Sequence, residues 1–356
     1  MKVLHLPTSV GGHGYGLSRA ERELGLSSDV LYTTNNYFNF PADIVLCRNN
    51  FKPLTLLAAV CASWRYPKHY DILHFNFGST LVDGCRGLIN NWDLLLYKKQ
   101  KLFVTYNGSD ARLSFETMYP DGEKHPDYAG IDDPLYANPV QENRIKKRIA
   151  QFEKAGAHFF ARNPDLIRCL PKGAQFLPYI IYGLNTIDTL PYKPSNTKLR
   201  VIHAPTNRLI KGTAQIIKAV DALEKKYPGK IELQLVEGVD NQTARNIYLN
   251  ADIIVDQLRV GWYGGFALEC MKIGKPVIVY LNHDDLRYVP EQMAKDCREA
   301  VLEADCDTIE QTLEECIHDK NLLQRKAVAA IEYVQVWHNP IEIAKQVVAQ
   351  YKEALS

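Results

Sequence analysis

Short apolar runs of β type alternate with helical segments along this chain of 356 residues, and the rhythm starts twice. In the first half the runs Val3–Leu6, Val30–Tyr32, Ile44–Leu46, Ile72–Phe75, Leu102–Tyr106, His158–Ala161 and Gln175–Leu177 read as strands. Helical patterns such as Ser18–Leu24, Leu54–Ala62 and Asn143–Lys154 lie between them. In the second half the strands are Leu199–His203, Ile231–Val236, Ile253–Gln257 and Pro276–Leu281, separated by helical patterns at Ala214–Lys226, Gln242–Asn250 and Phe266–Lys272. Thr308–Asp319 and Asn321–Gln335 then read as helices, and Pro340–Leu355 as an amphipathic one. Strand–helix alternation of this kind is satisfied by a parallel sheet with helices on both faces. The Gly-, Pro- and Ser-containing stretch Ile180–Thr197 separates the two series and reads as a linker. The fold class expected is α/β, with two doubly wound, Rossmann-like domains facing a cleft. The boundaries fall at residues 1–185 and 186–337. Functional residues then belong in loops at the carboxyl ends of the strands. Met118–Pro139, long and polar, reads as a functional loop, a lid or an insertion.

Bulk composition excludes several classes. Lys plus Arg number 42 and Asp plus Glu 41, so no global basic field points to a nucleic-acid partner. The run around Arg144, Lys146, Lys147 and Arg148 reads as a solvated helix face. Eight cysteines are scattered with no CxxC pair, which speaks against zinc knuckles and suits a reducing compartment. No window approaches a membrane span, and the N-terminal apolar run is too short for a secretory signal. The expected location is the cytoplasm, with contact at the inner face of a membrane left open.

The segment with the most chemistry is GWYGGFALECMKIGKP, Gly261–Pro276. It follows the apolar run Ala251–Leu258 and leads through a Gly-rich turn into a helix near Phe266. Strand, Gly-rich turn and helix N-terminus together present backbone N–H groups to a phosphate, with Gly264, Gly265 and Phe266 at the turn. Glu269, in the first turn of the helix, is placed to accept hydrogen bonds from a ribose diol. Upstream, Arg208 and Lys211 follow strand Leu199–His203. Guanidinium and ammonium three residues apart suit a diphosphate leaving group. Glu237 and Gly238 follow Ile231–Val236, where a nucleobase pocket wall is expected. In the first half, Gly11, Gly12, His13 and Gly14 form a Gly-rich loop for phosphate or acceptor, though tight packing alone also uses such turns. Asn107 and Asp110 lie in an NGSD turn after Leu102–Tyr106, followed by Arg112; helix or turn capping by Ser109 or Asp110 is the competing reading. His74 reads as a buried structural histidine.

Taken together, RLIKG, the loop after Ile231–Val236 and GGFALECMKIGKPVI make the second half resemble the donor domain of a GT-B glycosyltransferase. The likeness is to the large retaining family four, the glycosyl transferases group 1. The Gly-rich N-terminal loop, the NGSD turn and ARNPDL (Ala161–Leu166) fit that family's first domain. Pro340–Leu355, preceded by VWHN, resembles its last helix, so residues 338–356 are expected to pack back on the first domain. The resemblance implies that Arg208 and Lys211 stabilise the diphosphate and that Glu269 holds the ribose. It further implies that Gly264, Gly265 and Phe266 face sugar and phosphate, and that Asn107 and Asp110 lie at the reacting centre. Three positions depart from the family pattern. Gly261 stands where a Glu eight residues before Glu269 usually contacts the sugar, with Asp256 nearby at a strand end. Asn107 stands where a His is common. Arg208 and Lys211 are closer together than the usual pair.

The activity implied is transfer of a sugar from a nucleotide diphosphate to a glycan, lipid-linked or other hydroxyl acceptor, with retention and in polysaccharide or glycoconjugate synthesis. No cofactor and no catalytic metal are expected. The alternatives are a sugar-nucleotide epimerase of the same architecture and a non-catalytic nucleotide-sugar-binding subunit.

Overall fold

The computed structural model describes residues 1–34, 40–47, 52–83, 91–118, 138–195 and 197–356. Cys85 and residues 119–137 of the long polar loop lie outside them. The described residues divide into two units: Met1–Met118, 138–182 and His338–Ser356 form one, and Gly183–Trp337 the other.

In the first unit, the apolar runs of the sequence become a seven-stranded sheet in the order β3-β2-β1-β4-β5-β6-β7. The strands are β1 (Lys2–Leu6), β2 (Ser27–Thr34), β3 (Ile44–Cys47), β4 (Ile72–Asn76), β5 (Lys101–Tyr106), β6 (His158–Ala161) and β7 (Gln175–Phe176). All pairs are parallel, with Val3 opposite both Ser28 of β2 and Ile72 of β4. Helices α1 (His13–Glu23), α2 (Lys52–Arg65), the single turn α3 (Phe115–Met118) and α4 (Pro139–Lys154) provide crossovers. The chain runs outward from β1 to β3 and then returns to β4. The carboxyl ends of β1 and β4 therefore flank a topological switch point, where ligands of open α/β sheets bind.

The second unit carries a five-stranded parallel sheet in the order β12-β11-β10-β8-β9. Its elements are β8 (Leu199–His203), α5 (Arg208–Lys211), α6 (Thr213–Lys226), β9 (Ile231–Leu235), α7 (Asn241–Tyr248), β10 (Ile253–Gln257), α8 (Gly265–Ile273), β11 (Val277–Val279), α9 (Glu291–Ala300), β12 (Leu302–Glu303), α10 (Ile309–His318) and α11 (Lys320–Trp337). Its switch point lies between β8 and β10. Helix α12 (Pro340–Leu355) closes the chain in the first unit, where Ile343, Ala344, Val347, Val348 and Tyr351 join a core with Val3, Leu17, Phe103 and Phe160.

The α/β, doubly wound reading thus holds for each unit, with differences in detail. Ile180–Thr197 is not a bare linker: Ile180 packs in the core of the first unit and Tyr192 in that of the second. Tyr192 also donates through its hydroxyl to the Asp252 carbonyl at 2.8 Å. Helix α1 begins at His13, earlier than Ser18, because only Gly11 and Gly12 take positive φ (64° and 63°), while Gly14 and Gly16 are helical. A Cβ on Gly16 would lie 2.6 Å from Ile180 Cγ2, so that glycine serves close packing. Arg208–Lys211 is a helical turn capped by Asn207, whose side chain accepts from the N–H groups of Leu209 and Ile210. Helix α9 and strand β12 carry no expectation from the sequence.

Candidate functional site

In the second unit, Lys211 and the start of α8 converge from either side of the switch point. Gly212, at φ 73°, ends α5 and turns the chain directly into α6. Lys211 Nζ lies 2.7 Å from Asp256 Oδ1, and Asp256 Oδ2 accepts the Gly264 N–H at 2.7 Å. Asp256 is fully buried and Lys211 is partly buried, its side chain 15% exposed. Gly264 is the N-cap of α8 and no side chain caps that helix. The first-turn amides of an α-helix have no intrahelical acceptor, so this end attracts anions. His203 fixes the floor: one ring nitrogen meets the Val255 carbonyl at 2.7 Å and the other Thr213 Oγ1 at 2.8 Å. Burial pushes its pKa down to about 4, so it is neutral here and holds β8, β10 and α6 together.

The other expected donor-site residues are brought into ion pairs of their own. Arg208, exposed, makes a bidentate pair with Glu237, its Nε 2.9 Å from Oε1. The pair draws Arg208 above its ordinary pKa and Glu237 below. Gly238 follows with φ 67° and makes the turn. Glu269 is buried and receives two hydrogen bonds from Arg245 of α7, at 3.0 and 3.3 Å. Phe266 packs against Tyr248 with ring centroids 4.9 Å apart. Gly261 is enforced sterically: a Cβ there would lie 2.3 Å from Asn282 Cβ and 2.8 Å from its backbone N. No side chain fits at this position, so the family's first Glu has no counterpart here.

In the first unit, the turn residues gather at the carboxyl ends of β1, β4, β5 and β6. Asn76 donates to the Val10 carbonyl at 3.2 Å and accepts from Asn107 Nδ2 at 2.8 Å. Asn107 Oδ1 accepts from Arg162 Nη1 at 2.8 Å. Arg162 borders the Gly-rich loop: a Cβ on Gly11 would lie 2.9 Å from Nη1. It is buried, stacks 4.0 Å over Tyr179, and has its pKa lowered to about 10 by burial. His13, also buried, has no hydrogen-bond partner on either ring nitrogen among the described residues. Burial, then the Arg162 charge, holds His13 well below the ordinary imidazole pKa, so it is neutral. Asp110 accepts from the N–H groups of Asn107 and Gly108 at 3.0 and 2.7 Å, so its carboxylate shapes the NGSD turn. Its pKa is raised to about 6 because burial outweighs those bonds. Arg112 is committed to Asp165 through two bonds of 2.6 and 3.0 Å. His74 is buried between Thr105 and Tyr351, a structural role.

Four residues at these sites escaped the sequence reading as partners: Asp256, Arg245, Asn282 and Arg162. Asp256 and Arg162 had a usable signal, since each lies at the carboxyl end of a strand. Among the described residues, no cluster of His, Cys, Asp or Glu is placed to hold a metal ion.

No protein-family model matches the chain, and no curated protein sequence does. Solved structures do match over its length. Sucrose-phosphate synthase from Thermosynechococcus elongatus aligns with TM-score 0.66 at 16% identity, covering 100% of this chain and 99% of that one. A glycosyltransferase from Rickettsia africae ESF-5 aligns at TM-score 0.60 and 14% identity, covering 99% and 98%. UDP-GlcNAc 2-epimerase from Neisseria meningitidis bound to UDP-GlcNAc aligns at 0.50 and 15%, covering 99% and 100%. At these identities the likeness is one of fold. The two Rossmann-like units in one chain match the GT-B fold, which these transferase and epimerase structures share.

Proposed function

We propose that the protein is a glycosyltransferase that moves a sugar from a nucleotide diphosphate to an acceptor hydroxyl, with retention at the anomeric carbon. The observation that carries this reading is the pairing of Lys211 with the uncapped start of α8 at the β8/β10 switch point. One of the three N–H groups of the lysine is engaged by Asp256, which leaves the others for a diphosphate. As the anomeric bond breaks, negative charge grows on the diphosphate. Lys211, the α8 dipole and Arg208, once released from Glu237, oppose it. The departing phosphate oxygen takes the proton of the acceptor hydroxyl, so no separate base is required of Asn107. Glu269, held by Arg245, accepts from the ribose diol, while Gly238 and Glu237 border the base. Gly11–Gly14, with His13 and Arg162, form the surface for acceptor or phosphate in the first unit. No cofactor or metal enters the scheme. An acceptor in glycan or glycoconjugate synthesis, met at a membrane face in the cytoplasm, suits this chemistry. Among the described residues, no helix is long and apolar enough to cross a membrane.

A second reading is a sugar-nucleotide 2-epimerase, favoured by the epimerase structures that share the fold. Incubating the protein with UDP-, GDP-, ADP- and dTDP-sugars, with and without hydroxyl acceptors, separates the possibilities. Release of nucleoside diphosphate with a new glycosidic product supports transfer. An epimerised sugar nucleotide replaces transfer by the second reading. Binding without turnover makes the protein a nucleotide-sugar-binding subunit.

A further inference from the structure

Large exposed apolar side chains are scattered singly over most of the protein, but they gather on α2. Leu54, Leu57 and Trp64 are 59%, 61% and 62% exposed, and Cys61 is exposed as well. At 100° per residue these four fall within an arc of about 80° and span about 15 Å of helix. The opposite face, with Ala59, Ala62 and Ser63, is buried where α2 lies along β2 and β3 at the edge of the sheet. A 3-10 turn at Trp92–Leu96 packs beside α2 and exposes Leu95 to 71%. Singly exposed leucines are ordinary, whereas a contiguous stripe on one helix face marks a contact surface.

The exposed charges around this stripe are mostly positive. Residues 54–70 contain no Asp or Glu, and Arg65, Lys68 and His69 are exposed at the end of the segment. Lys98 and Lys99 are exposed just beyond Leu95. Two acids lie nearby among the described residues: Asp93 is buried and bonded to Tyr97 and Thr80, and Asp71, exposed just past His69, accepts the Lys2 backbone N–H at 2.8 Å. The whole chain, by contrast, is nearly neutral at +1. A second copy of this face would bring cations against cations. An anionic bilayer supplies both an apolar layer and the opposite charge.

We propose that α2 and the Trp92–Leu96 turn form a membrane-docking face that binds anionic lipid. The helix lies in the plane of the interface. Leu54, Leu57, Trp64 and Leu95 enter the acyl boundary, while Arg65, Lys68, Lys98 and Lys99 remain among the headgroups. This assignment is independent of the reaction proposed above, and its test needs no turnover.

The test is co-sedimentation of the full chain with vesicles of phosphatidylcholine alone and of phosphatidylcholine with phosphatidylglycerol. The expected result is binding to the anionic vesicles, weakened by added salt. Leu57→Gln/Trp64→Gln should reduce partitioning by roughly tenfold or more at unchanged melting temperature. Lys98→Gln/Lys99→Gln should lower binding to the anionic vesicles only. Tryptophan emission should shift to the blue on binding, and Trp64→Phe should remove most of the shift, a readout that holds even if the double apolar variant folds poorly. Three results overturn the proposal. One is a wild-type protein that stays in the supernatant with both vesicles. Another is a folded Leu57→Gln/Trp64→Gln variant that binds like wild type. The third is lipid-free dimerisation abolished by that variant, which would make the face a contact between copies of this chain.

Discussion

Lys211 and Asp256, 45 positions apart in sequence, meet at 2.7 Å at the switch point of the second unit, and the other oxygen of the same carboxylate takes the Gly264 N–H. An internal oxyanion thus engages the lysine and one amide, that of the N-cap Gly264, at the start of α8. The pattern repeats nearby, since Arg208 is paired with Glu237 and Glu269 with Arg245. Each charge that the sequence marks for a nucleotide is held by an opposite charge of its own unit. A ligand at this site must exchange with, or add to, pairs that already exist.

Removing Lys211 leaves a fully buried carboxylate without its cation. Lys211→Ala is expected to cost about 3 kcal/mol of stability, and Lys211→Ala/Asp256→Asn to cost less, because the stranded charge is gone. Denaturant unfolding of the two variants checks this; equal losses would show that the pair is not what stabilises the site.

Arg208 is exposed, and its partner Glu237 is too. Arg208→Ala should leave the unfolding midpoint nearly unchanged. It should weaken nucleoside-diphosphate binding by roughly tenfold or more, as befits a lost charge-assisted contact. Calorimetry and thermal melting on the same sample separate the two effects.

Glu269 is expected to read the ribose. Glu269→Gln and Arg245→Ala should both erase a preference for a ribonucleoside diphosphate over its 2′-deoxy form, worth about tenfold if one hydrogen bond is at stake. Competition binding with the two nucleotides measures it.

Gly261 touches Asn282 too closely for any side chain. Gly261→Ala should destabilise by about 1–3 kcal/mol through displacement of that backbone, and Gly261→Glu by more. If Gly261→Glu folds normally and raises activity, the close packing at Asn282 does not constrain the site as described.

Asp110 carries a pH dependence. Burial raises its pKa from 3.8 to about 6 in the folded protein. The folded state therefore holds the proton more tightly than the unfolded chain. This contribution to stability is greatest below about pH 4 and is lost as pH rises to about 6, a change of about 3 kcal/mol. Unfolding free energies across that window should decline less steeply in Asp110→Asn than in wild type.

What the sequence revealed follows from the range over which each signal acts. Strand Ile253–Gln257 and helix Pro340–Leu355 were legible to the residue, because the β-branched run Ile253–Val255 and a clean amphipathic period are local signals. Helix α9 was not, since Met293, Cys297 and Ala300 are its only buried positions among charged neighbours. The Gly-rich stretch concealed the start of α1, because two of its glycines turn the chain and two pack inside a helix. Arg208, Lys211, Glu237 and Glu269 were legible as candidates from their places after strands. Their partners were not, because the contacts of Lys211 with Asp256 and of Gly261 with Asn282 exist only once the sheet has formed.

The central claim is a nucleoside-diphosphate site built on Arg208 and Lys211. Calorimetric titration of UDP, GDP, ADP and dTDP into wild type and into Arg208→Ala/Lys211→Ala tests it most directly. One nucleotide is expected to bind wild type, and its affinity to fall by roughly a hundredfold in the variant, two charge-assisted contacts being lost. Folded wild-type protein that binds none of the four, or a folded variant that binds as wild type does, would contradict it.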